Sequence, residues 1–214
     1  MNERYIRQTM IPEIGEAGQE KLKNAKVLIV GIGGLGSPIS IYLTAAGVGQ
    51  IGLIDDDIVS KSNLQRQILY TETEIGQSKV ECACRRLSAL NSSTRFETYP
   101  NRFTSDNADR LVSAYDIIIA GCDNAATRYL IDDVCSRFKK PYVYGSISEF
   151  RGQFSVFNYR GGPRYSDLYP RPEVIPPARP RGVIGTIPGI IGCMEAAEVI
   201  KIITGYGGGL SGKL

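Results

Sequence analysis

Residues 27–36 read Val-Leu-Ile-Val-Gly-Ile-Gly-Gly-Leu-Gly, and this stretch decides the fold. Its first four residues are apolar and mostly β-branched, which is typical of a parallel strand that is buried on both faces. The glycines that follow let the backbone turn sharply into a helix, whose first N–H groups and positive dipole end attract an anion. The stretch therefore predicts a strand, a tight turn and a helix that together bind a phosphate.

The spacing of Gly31, Gly33 and Gly36 fits the fingerprint of a dinucleotide-binding turn. Residues 51–54 predict a second buried strand, and Asp55 follows it, where a carboxylate can accept hydrogen bonds from ribose hydroxyls. Glycine-rich turns also serve simply to pack a helix closely on a strand. With the acid at the right separation, we interpret the pattern as a nucleotide site, which an NAD-dependent oxidoreductase would share.

Strand and helix patterns alternate from residue 26 to residue 146. This alternation predicts an α/β fold with a doubly wound, Rossmann-like, mostly parallel sheet and helices on both faces. Further strands are predicted at 95–99, 115–120, 141–145 and 152–157, and further helices at 105–112 and 125–138. Residues 186–203 predict a turn of small residues followed by a helix that ends at Gly205. Ligands of such folds bind outside the carboxyl ends of the strands. The glycine turn, Asp55 and Asp123 are all expected at those ends.

The chain as a whole suits one globular unit, and we expect its 214 residues, 1–214, to form a single domain. A net charge of +3 is too small to indicate nucleic-acid binding, and no stretch approaches the roughly 18 uncharged apolar residues of a membrane span. The charged start lacks the apolar core of a signal peptide. Five cysteines do not form a disulfide framework, so we expect a cytoplasmic protein.

The chain contains no histidine. This excludes a Ser-His or Cys-His nucleophile pair, a histidine general base and any histidine-ligated metal. Any chemistry must use carboxylates, lysine, arginine, cysteine, the backbone or a metal held by oxygen. Cys122 is one candidate nucleophile, although a small residue that ends a strand is the simpler interpretation.

A second group of candidate residues follows the second and fourth predicted strands. Asn63 and Arg66 lie in a polar loop, and Lys79 opens the next helix, so two cations and an amide can reach the mouth of the glycine turn. Asp123 can hold Mg²⁺, which prefers one or two carboxylates together with phosphate oxygens. Alternatively, the two cations are ordinary solvated charges and Asp123 caps a helix. Combined with the glycine turn, the group predicts a triphosphate site.

Residues 158–181 contain six prolines, five arginines and three tyrosines, without a helical or strand period. A loop of this length in a compact domain is usually a functional lid or a disordered segment. We expect a mobile crossover loop, which either closes over an extended acidic ligand or remains solvated.

Together these motifs resemble the family of ubiquitin-activating (E1)-like adenylyltransferases that includes the bacterial ThiF, MoeB and HesA proteins. The likeness follows the family's order and rests on Arg4-Tyr5-Ile6-Arg7-Gln8, the glycine turn, Asp55-Asp56-Asp57, Asn63-Leu64-Gln65-Arg66-Gln67, Gly76-Gln77-Ser78-Lys79, Cys122-Asp123-Asn124 and Gly182-Val183-Ile184-Gly185. The Asn-Leu-Gln-Arg-Gln motif is specific. The chain looks more like the carrier-activating branch than the relatives that dehydrate a modified tRNA base.

The resemblance implies ATP-dependent adenylylation of the C-terminal glycine of a small ubiquitin-like sulfur-carrier protein ending in Gly-Gly, with release of pyrophosphate. It implies that Asp55 binds the ribose, that phosphates bind to Asn63, Arg66 and Lys79, and that Asp123 binds Mg²⁺. The other nucleotide-binding residues that it implies are Gly31, Gly33, Gly34, Gly36 and Asp57. Because the family works as a dimer, it also implies that Arg7 reaches the neighbouring subunit's site.

The chain departs from the family's pattern in two places. Many relatives bind a structural zinc with two Cys-x-x-Cys pairs, but Arg164 and Asp167 stand where the first pair would fall, so we expect no zinc and an ion pair between these residues. Covalently acting relatives place a cysteine shortly before the Gly-Val-x-Gly turn, whereas residues 177–181 contain no thiol. We therefore expect an acyl-adenylate that is handed to an external sulfur donor, for thiamine, molybdopterin or another product. An NAD-dependent oxidoreductase and a catalytically idle scaffold of the same fold are the alternatives.

Overall fold

The computed structural model describes residues 3–174, 182–207 and 209–214, which form one six-stranded sheet with helices on both faces. The strands are β1 (Lys26–Val30), β2 (Gln50–Ile54), β3 (Arg95–Tyr99), β4 (Ile117–Ala120), β5 (Tyr142–Ser148) and β6 (Arg151–Phe157). The α-helices are α1 (Ile6–Thr9), α2 (Gly15–Asn24), α3 (Gly36–Ala46), α4 (Lys79–Leu90), α5 (Ser105–Ser113), α6 (Ala125–Phe138), α7 (Tyr165–Leu168) and α8 (Thr186–Thr204).

The strand order is β3-β2-β1-β4-β5-β6. The first five strands in the chain run parallel, and β6 pairs antiparallel with β5. Val27 at the centre of the sheet lies opposite Ile51 of β2 on one side and Ile117 of β4 on the other. The direction of winding reverses between β1 and β4, and an open α/β sheet binds its ligand at such a reversal. The predicted doubly wound, mostly parallel fold is confirmed.

The apolar run of β1 is explained by its two buried faces. Val27 and Ile29 belong to the core under α3, α4 and α8, whereas Leu28 and Val30 belong to the core under α5 and α6. Complete burial of one such aliphatic side chain is worth about 1.5–3 kcal/mol, so a polar residue at any of these positions would be costly. A strand with two buried faces shows continuous rather than alternating hydrophobicity.

The helix ends follow local chemistry that the sequence already displays. Gly47 has a φ of 85° and ends α3, and Gly205 has a φ of 82° and ends α8. At the start of α6, the side chain of Asn124 accepts a hydrogen bond from the N–H of Thr127 at 2.9 Å. The predicted bounds of this helix, 125–138, agree with the structure because cap and pattern coincide.

The turn after β1 depends on glycines for two separate reasons. Gly31 has a φ of 92°, a conformation that other residues rarely adopt. A Cβ atom placed on Gly36 or on Gly121 would overlap the carbonyl oxygen of Gly31. The start of α3 and the end of β4 therefore approach the same peptide group closely, and only residues without a side chain permit this.

The segment 158–181 holds more structure than its composition predicts. It contains α7, whose Tyr165 is buried, and Tyr129 of α6 donates a hydrogen bond to the carbonyl of Tyr169 at 3.1 Å. The remaining part of the predicted crossover loop, residues 175–181, lies outside the described residues. No helix in the described ranges has the length and apolarity needed to cross a membrane.

We expect Gly36→Ala to lower the free energy of unfolding by about 1–3 kcal/mol, since the new methyl group collides with backbone that cannot rotate away. Urea denaturation monitored by circular dichroism measures this. The matched control is Gly189→Ala in α8, where an added Cβ meets no atom within 4 Å. It should be neutral or stabilising by up to about 1 kcal/mol, because alanine favours a helix more than glycine does. Equal destabilisation by both changes would contradict the packing role of Gly36.

Candidate functional site

A cleft of about 1230 Å³ opens at the carboxyl ends of the central strands. Every residue predicted for the site lines it except Arg7 and Gly36. The predicted residues that do line the cleft are Gly31, Gly33, Gly34, Asp55, Asp57, Asn63, Arg66, Lys79 and Asp123. The strand order therefore brings residues up to 92 positions apart in the sequence, from Gly31 to Asp123, into one cleft.

The glycine turn forms one wall of the cleft. Gly33 and Gly34 face the cleft, whereas Gly36 lies behind them and packs against the carbonyl of Gly31. Helix α3 starts directly after this turn, so the positive end of its dipole lies at the cleft. The turn is suited to bind an anion through the backbone, as the sequence predicts.

Asp55 is held rigidly at the end of β2. One carboxylate oxygen accepts the N–H of Ile32 at 2.7 Å, and the other accepts the N–H of Asp57 at 2.9 Å. Each carboxylate oxygen retains a further lone pair. The carboxylate can therefore still accept hydrogen bonds from a ligand while its orientation stays fixed.

Lys79 and Asp57, both predicted to bind the nucleotide, contact each other. The Lys79 ammonium lies 2.7 Å from the Asp57 carboxylate, and the Lys79 N–H donates to the Asp57 carbonyl at 3.1 Å. The Lys79 side chain is 4% exposed and that of Asp57 is 68% exposed, so a buried ammonium group is paired with a carboxylate at the protein surface. The ammonium is therefore fixed in the cleft wall and is not the solvated charge of the alternative interpretation.

Asn63 and Arg66 lie in the polar loop after β2. The Asn63 carbonyl accepts the N–H groups of Arg66 at 3.0 Å and of Gln67 at 2.9 Å, which closes a tight turn. The Arg66 guanidinium donates to the carbonyl of Ser62 at 3.1 Å and borders the glycine turn near Gly34. Its remaining N–H groups are directed to no other described residue, so they can bind an anion in the cleft.

Asp123 is exposed at the end of β4 and makes no hydrogen bond or ion pair with any described residue. The helix-capping role that was its alternative belongs to Asn124 instead. Three further carboxylates, those of Asp55, Asp56 and Asp57, lie within 4.8 Å of one another. However, Asp56 is paired with Arg102 at 2.9 Å and Asp57 with Lys79. Asp123 is thus the cleft carboxylate that is most free to bind a cation.

Sequence reasoning missed two arginines of the cleft. Arg102 follows β3 and pairs with Asp56. Arg128, in the first turn and a half of α6, donates to the carbonyls of Cys122 at 3.2 Å and Gly145 at 3.4 Å and lies over the Tyr144 ring. The signal that could have found Arg102 is its place just beyond a predicted strand's carboxyl end. No such signal marks Arg128, because an arginine that lines a cleft and an ordinary surface arginine look alike in the sequence of a helix.

Arg7 is exposed in α1 and does not line the cleft of its own chain. The neighbouring Gln8 donates to the carbonyl of Ala46 at 3.2 Å, so α1 lies against the far end of α3. The predicted action of Arg7 in another subunit's site stays a prediction.

Burial disfavours the reactive thiolate form of the two thiols nearest to the proposed chemistry, Cys122 and Cys193. Burial raises the pKa of Cys122 to about 11, and Arg128 offsets this only in part. Burial also raises the pKa of Cys193 in α8. All five cysteines are free, and since the thiolate is the reactive form, Cys122 is poorly suited to act as a nucleophile at neutral pH.

The expected side-chain ion pair between Arg164 and Asp167 is wrong. Asp167 accepts the backbone N–H of Arg164 at 2.8 Å, which caps α7. The Arg164 guanidinium instead reaches Asp132 at 3.1 Å and Asp133 at 3.0 Å, both on α6. Asp132 is fully buried, so this contact anchors the crossover segment to the helix that begins in the cleft. Local sequence patterns could not predict these ion pairs, because Arg164 is far from Asp132 and Asp133 in the sequence.

Comparison with known proteins places these features in a family. The model of the ThiF family matches residues 5–214. The chain is 48% identical to the adenylyltransferase and sulfurtransferase MOCS3 of Culex quinquefasciatus over 99% of its own length and 49% of that protein. It is 43% identical to the sulfur carrier protein adenylyltransferase of Thermus thermophilus, over 99% of this chain and 81% of that one. The chain spans about half the length of several curated relatives that it matches.

A solved structure shows the same architecture. The crystal structure of Escherichia coli MccB with ATP superimposes with a TM-score of 0.84 at 26% identity. The superposition covers 99% of this chain and 66% of that chain. The likeness therefore extends over the whole sheet and its helices.

We expect Cys122 to resist iodoacetamide in the native protein at pH 8, because at a pKa of about 11 only about a thousandth of the thiol is ionised there. Peptide mass spectrometry after timed alkylation measures this, with the half-buried Cys84 as an internal control. Unfolding in urea should make the two thiols react alike. Native modification of Cys122 as fast as that of Cys84 would contradict the burial of this thiol.

Proposed function

The chain belongs to the ThiF family, and from this premise we propose that it adenylylates the C-terminal glycine of a small ubiquitin-like sulfur-carrier protein ending in Gly-Gly. ATP is the cosubstrate, Mg²⁺ assists and pyrophosphate is released. We propose that residues 1–214 act as a single adenylation domain. The observation that carries the proposal is that the glycine turn, Arg66, Lys79 and Asp123 line one cleft.

In this proposal, different cleft residues bind different parts of the nucleotide. Asp55 accepts hydrogen bonds from the ribose, and the glycine turn lies under the phosphates, where the start of α3 favours negative charge. Asn63, Arg66 and Lys79 bind phosphate oxygens. The crystal structure of MccB with ATP supports this choice of nucleotide for a chain of the same fold.

The residues present fit a magnesium ion. Asp123 offers an exposed carboxylate without a partner among the described residues, and Mg²⁺ usually binds one or two carboxylates with phosphate oxygens. The ion would neutralise charge on the phosphates. Asp123 would hold it, and Asn124 would keep the start of α6 in place behind it.

The reaction needs no group that the chain lacks. The glycine carboxylate is already ionised at neutral pH, so its oxygen can attack the α-phosphorus without a general base. The new bond joins this oxygen to phosphorus, while the bond to the bridging oxygen breaks and its electron pair leaves with pyrophosphate. Catalysis then depends on in-line positioning and on cations that are already fixed in place. Asp57 contributes by holding the Lys79 ammonium in the cleft wall.

We propose that the acyl-adenylate passes to an external sulfur donor and becomes a thiocarboxylate for thiamine or molybdopterin biosynthesis. The raised pKa of Cys122 supports a route without an enzyme thiol. The name of the Thermus relative, a sulfur carrier protein adenylyltransferase, supports the carrier as substrate. A cytoplasmic location is part of the proposal and is supported by the five free cysteines.

We further propose a homodimer in which Arg7 completes the partner's site, and a chain without zinc. The exposed position of Arg7, outside its own cleft, supports action on a second subunit. Arg164 and Asp167 stand at the positions of the first cysteine pair in zinc-binding relatives, and a closed zinc site needs four ligands. The ion pairs of Arg164 with α6 hold the segment without a metal.

The two alternatives gain no support. An NAD-dependent oxidoreductase shares the glycine turn and Asp55, but it has no use for Arg66, Lys79 and Asp123 at the same mouth. A catalytically idle scaffold would not need the cleft to keep these charges. The relatives compared above are named as adenylyltransferases, which favours the enzyme.

We expect ATP–pyrophosphate exchange in the presence of a carrier that ends in Gly-Gly. Arg66→Ala and Asp123→Asn should each lower the exchange rate on the order of 10²-fold or more, as removal of comparable electrostatic contacts does. Lys61→Ala is the matched control for Arg66, because Lys61 is an exposed cation in the same loop and does not line the cleft. Absence of exchange with every carrier tested, together with NADH binding, would overturn the proposed function.

Mixing two inactive variants tests the action of Arg7 across subunits. Arg7→Ala and Asp123→Asn should each be inactive, whereas a refolded one-to-one mixture should recover about a quarter of the wild-type rate, because half of the dimers are mixed and each holds one intact site. Exchange assays on mixtures of varied ratio measure the recovery. A mixture as inactive as its components would place Arg7 outside the partner's site.

A further inference from the structure

Glu195 is a buried carboxyl group without a partner. It lies in α8 with 0% of its surface exposed, and neither carboxylate oxygen accepts a hydrogen bond from a described residue. Glu198, three residues further along the helix, is almost as buried but receives hydrogen bonds from Lys201 at 2.7 Å and from the N–H of Leu210 at 2.9 Å. Burial without such hydrogen bonds strongly disfavours the ionised form of a carboxyl group.

The Glu195 carboxyl lies directly against strand β5. A Cβ atom placed on Gly145 would overlap its Oε2 atom, so glycine at this position is what allows the approach. The next residues of β5, Ser146 to Ser148, line the cleft. The carboxyl therefore contacts β5 one residue before the strand begins to line the cleft.

Arg128 contacts the same residue from the cleft side. Its guanidinium donates to the carbonyl of Gly145 at 3.4 Å and to that of Cys122 at 3.2 Å, and its Nε atom is buried without a partner. No carboxylate forms an ion pair with Arg128 within the described chain. A half-buried cation and a buried acid thus both contact Gly145 without forming a direct bond with each other.

We propose that Glu195 is a positioning residue that sets how strongly Arg128 attracts an anion in the cleft. While Glu195 is protonated, the guanidinium charge is available to a phosphate or carboxylate of the ligand. Once Glu195 is ionised, its negative charge competes with the ligand for Arg128, and anion affinity falls. This inference rests on the proposed function only in taking the occupant of the cleft to be an anion.

The surroundings of Glu195 leave Arg128 as its dominant charged neighbour. Helix α3 and strand β5, which pack against α8, contain no charged side chain, although β5 brings the phenols of Tyr142 and Tyr144. In β6 the charged residue is Arg151, exposed at the hairpin end. In α2, Lys21 donates to the carbonyl of Thr204 at the C-terminal end of α8. The other charged residues of α2, Glu16, Glu20 and Lys23, are exposed. The neighbouring uncharged titratable groups also include Tyr42 of α3, Cys193 of α8 and Cys122, and burial raises the pKa of both thiols.

The direction of the pH effect follows from burial. Desolvation raises the pKa of Glu195 well above its ordinary value, and Arg128 lowers it in part. The carboxyl therefore keeps its proton to a higher pH than an ordinary glutamate does, and it ionises as the pH rises. Anion affinity should be highest while Glu195 is protonated and should decrease as it ionises.

Calorimetric titration with inorganic pyrophosphate between neutral pH and about pH 9.5 tests the proposal on the full chain. The wild type should lose affinity by up to about tenfold per pH unit above the Glu195 pKa, in addition to the ligand's own titration, since one proton is linked to binding. Glu195→Gln, which is isosteric and always neutral, should lack this added loss and match the wild type at neutral pH. Glu198→Gln, the matched control in the same helix, should retain it. Identical pH profiles for the wild type and Glu195→Gln would overturn the proposal.

Infrared spectroscopy tests the protonation without any ligand. The wild type at pH 7 should show the C=O stretching band of a protonated carboxyl, and this band should vanish at alkaline pH and be absent from Glu195→Gln. Lack of the band in the wild type would equally overturn the proposal, even if the variant failed to fold. Failure of the proposed function would be seen differently, as absent pyrophosphate exchange with the infrared band still present.

Discussion

The carbonyl group of Gly31 is the point on which the rest of the structure depends. The start of α3 and the end of β4 both pack against this one peptide group, at Gly36 and at Gly121. Because both neighbours lack side chains, α3 starts close to the sheet and the two central strands end side by side. This contact lies where the direction of winding reverses between β1 and β4, and the cleft opens there. A side chain at either position would separate the two halves of the site.

The cleft charges are largely organised before any ligand arrives. Both oxygens of Asp55 are held by backbone N–H groups, Lys79 is held by Asp57, and Arg102 by Asp56. Such fixed charges need little reorganisation when a charged substrate binds, which is where electrostatic catalysis gains most. Asp123 and Arg128 differ, because no anion or cation of the described chain neutralises them. These unpaired charges are therefore the ones that a bound ligand or metal ion would neutralise.

Local patterns predicted the elements and much of the cleft, while contacts between distant parts of the chain remained out of reach. β3 at 95–99 and α6 at 125–138 were predicted at their observed bounds, because strand and helix composition are short-range signals. The cap of α6 was expected at Asp123, whereas the side chain of Asn124 caps it. The cleft positions of Asn63, Arg66 and Lys79 followed from their places after β2. In contrast, the guanidinium of Arg164 could be assigned to α6 only once the fold was known, since Asp132 lies 32 residues away. Arg128 and Glu195 were missed for the same reason.

The attachment of the crossover segment to α6 also has an optical consequence. The chain contains 12 tyrosines and no tryptophan, so its intrinsic fluorescence comes from tyrosine. Tyr165 and Tyr169 of the segment lie within ring contact of Tyr144, and Tyr165 also meets Tyr129 of α6. Detachment of the segment would expose several of these phenols to water at once. Tyrosine emission can therefore follow the position of the segment without an added label.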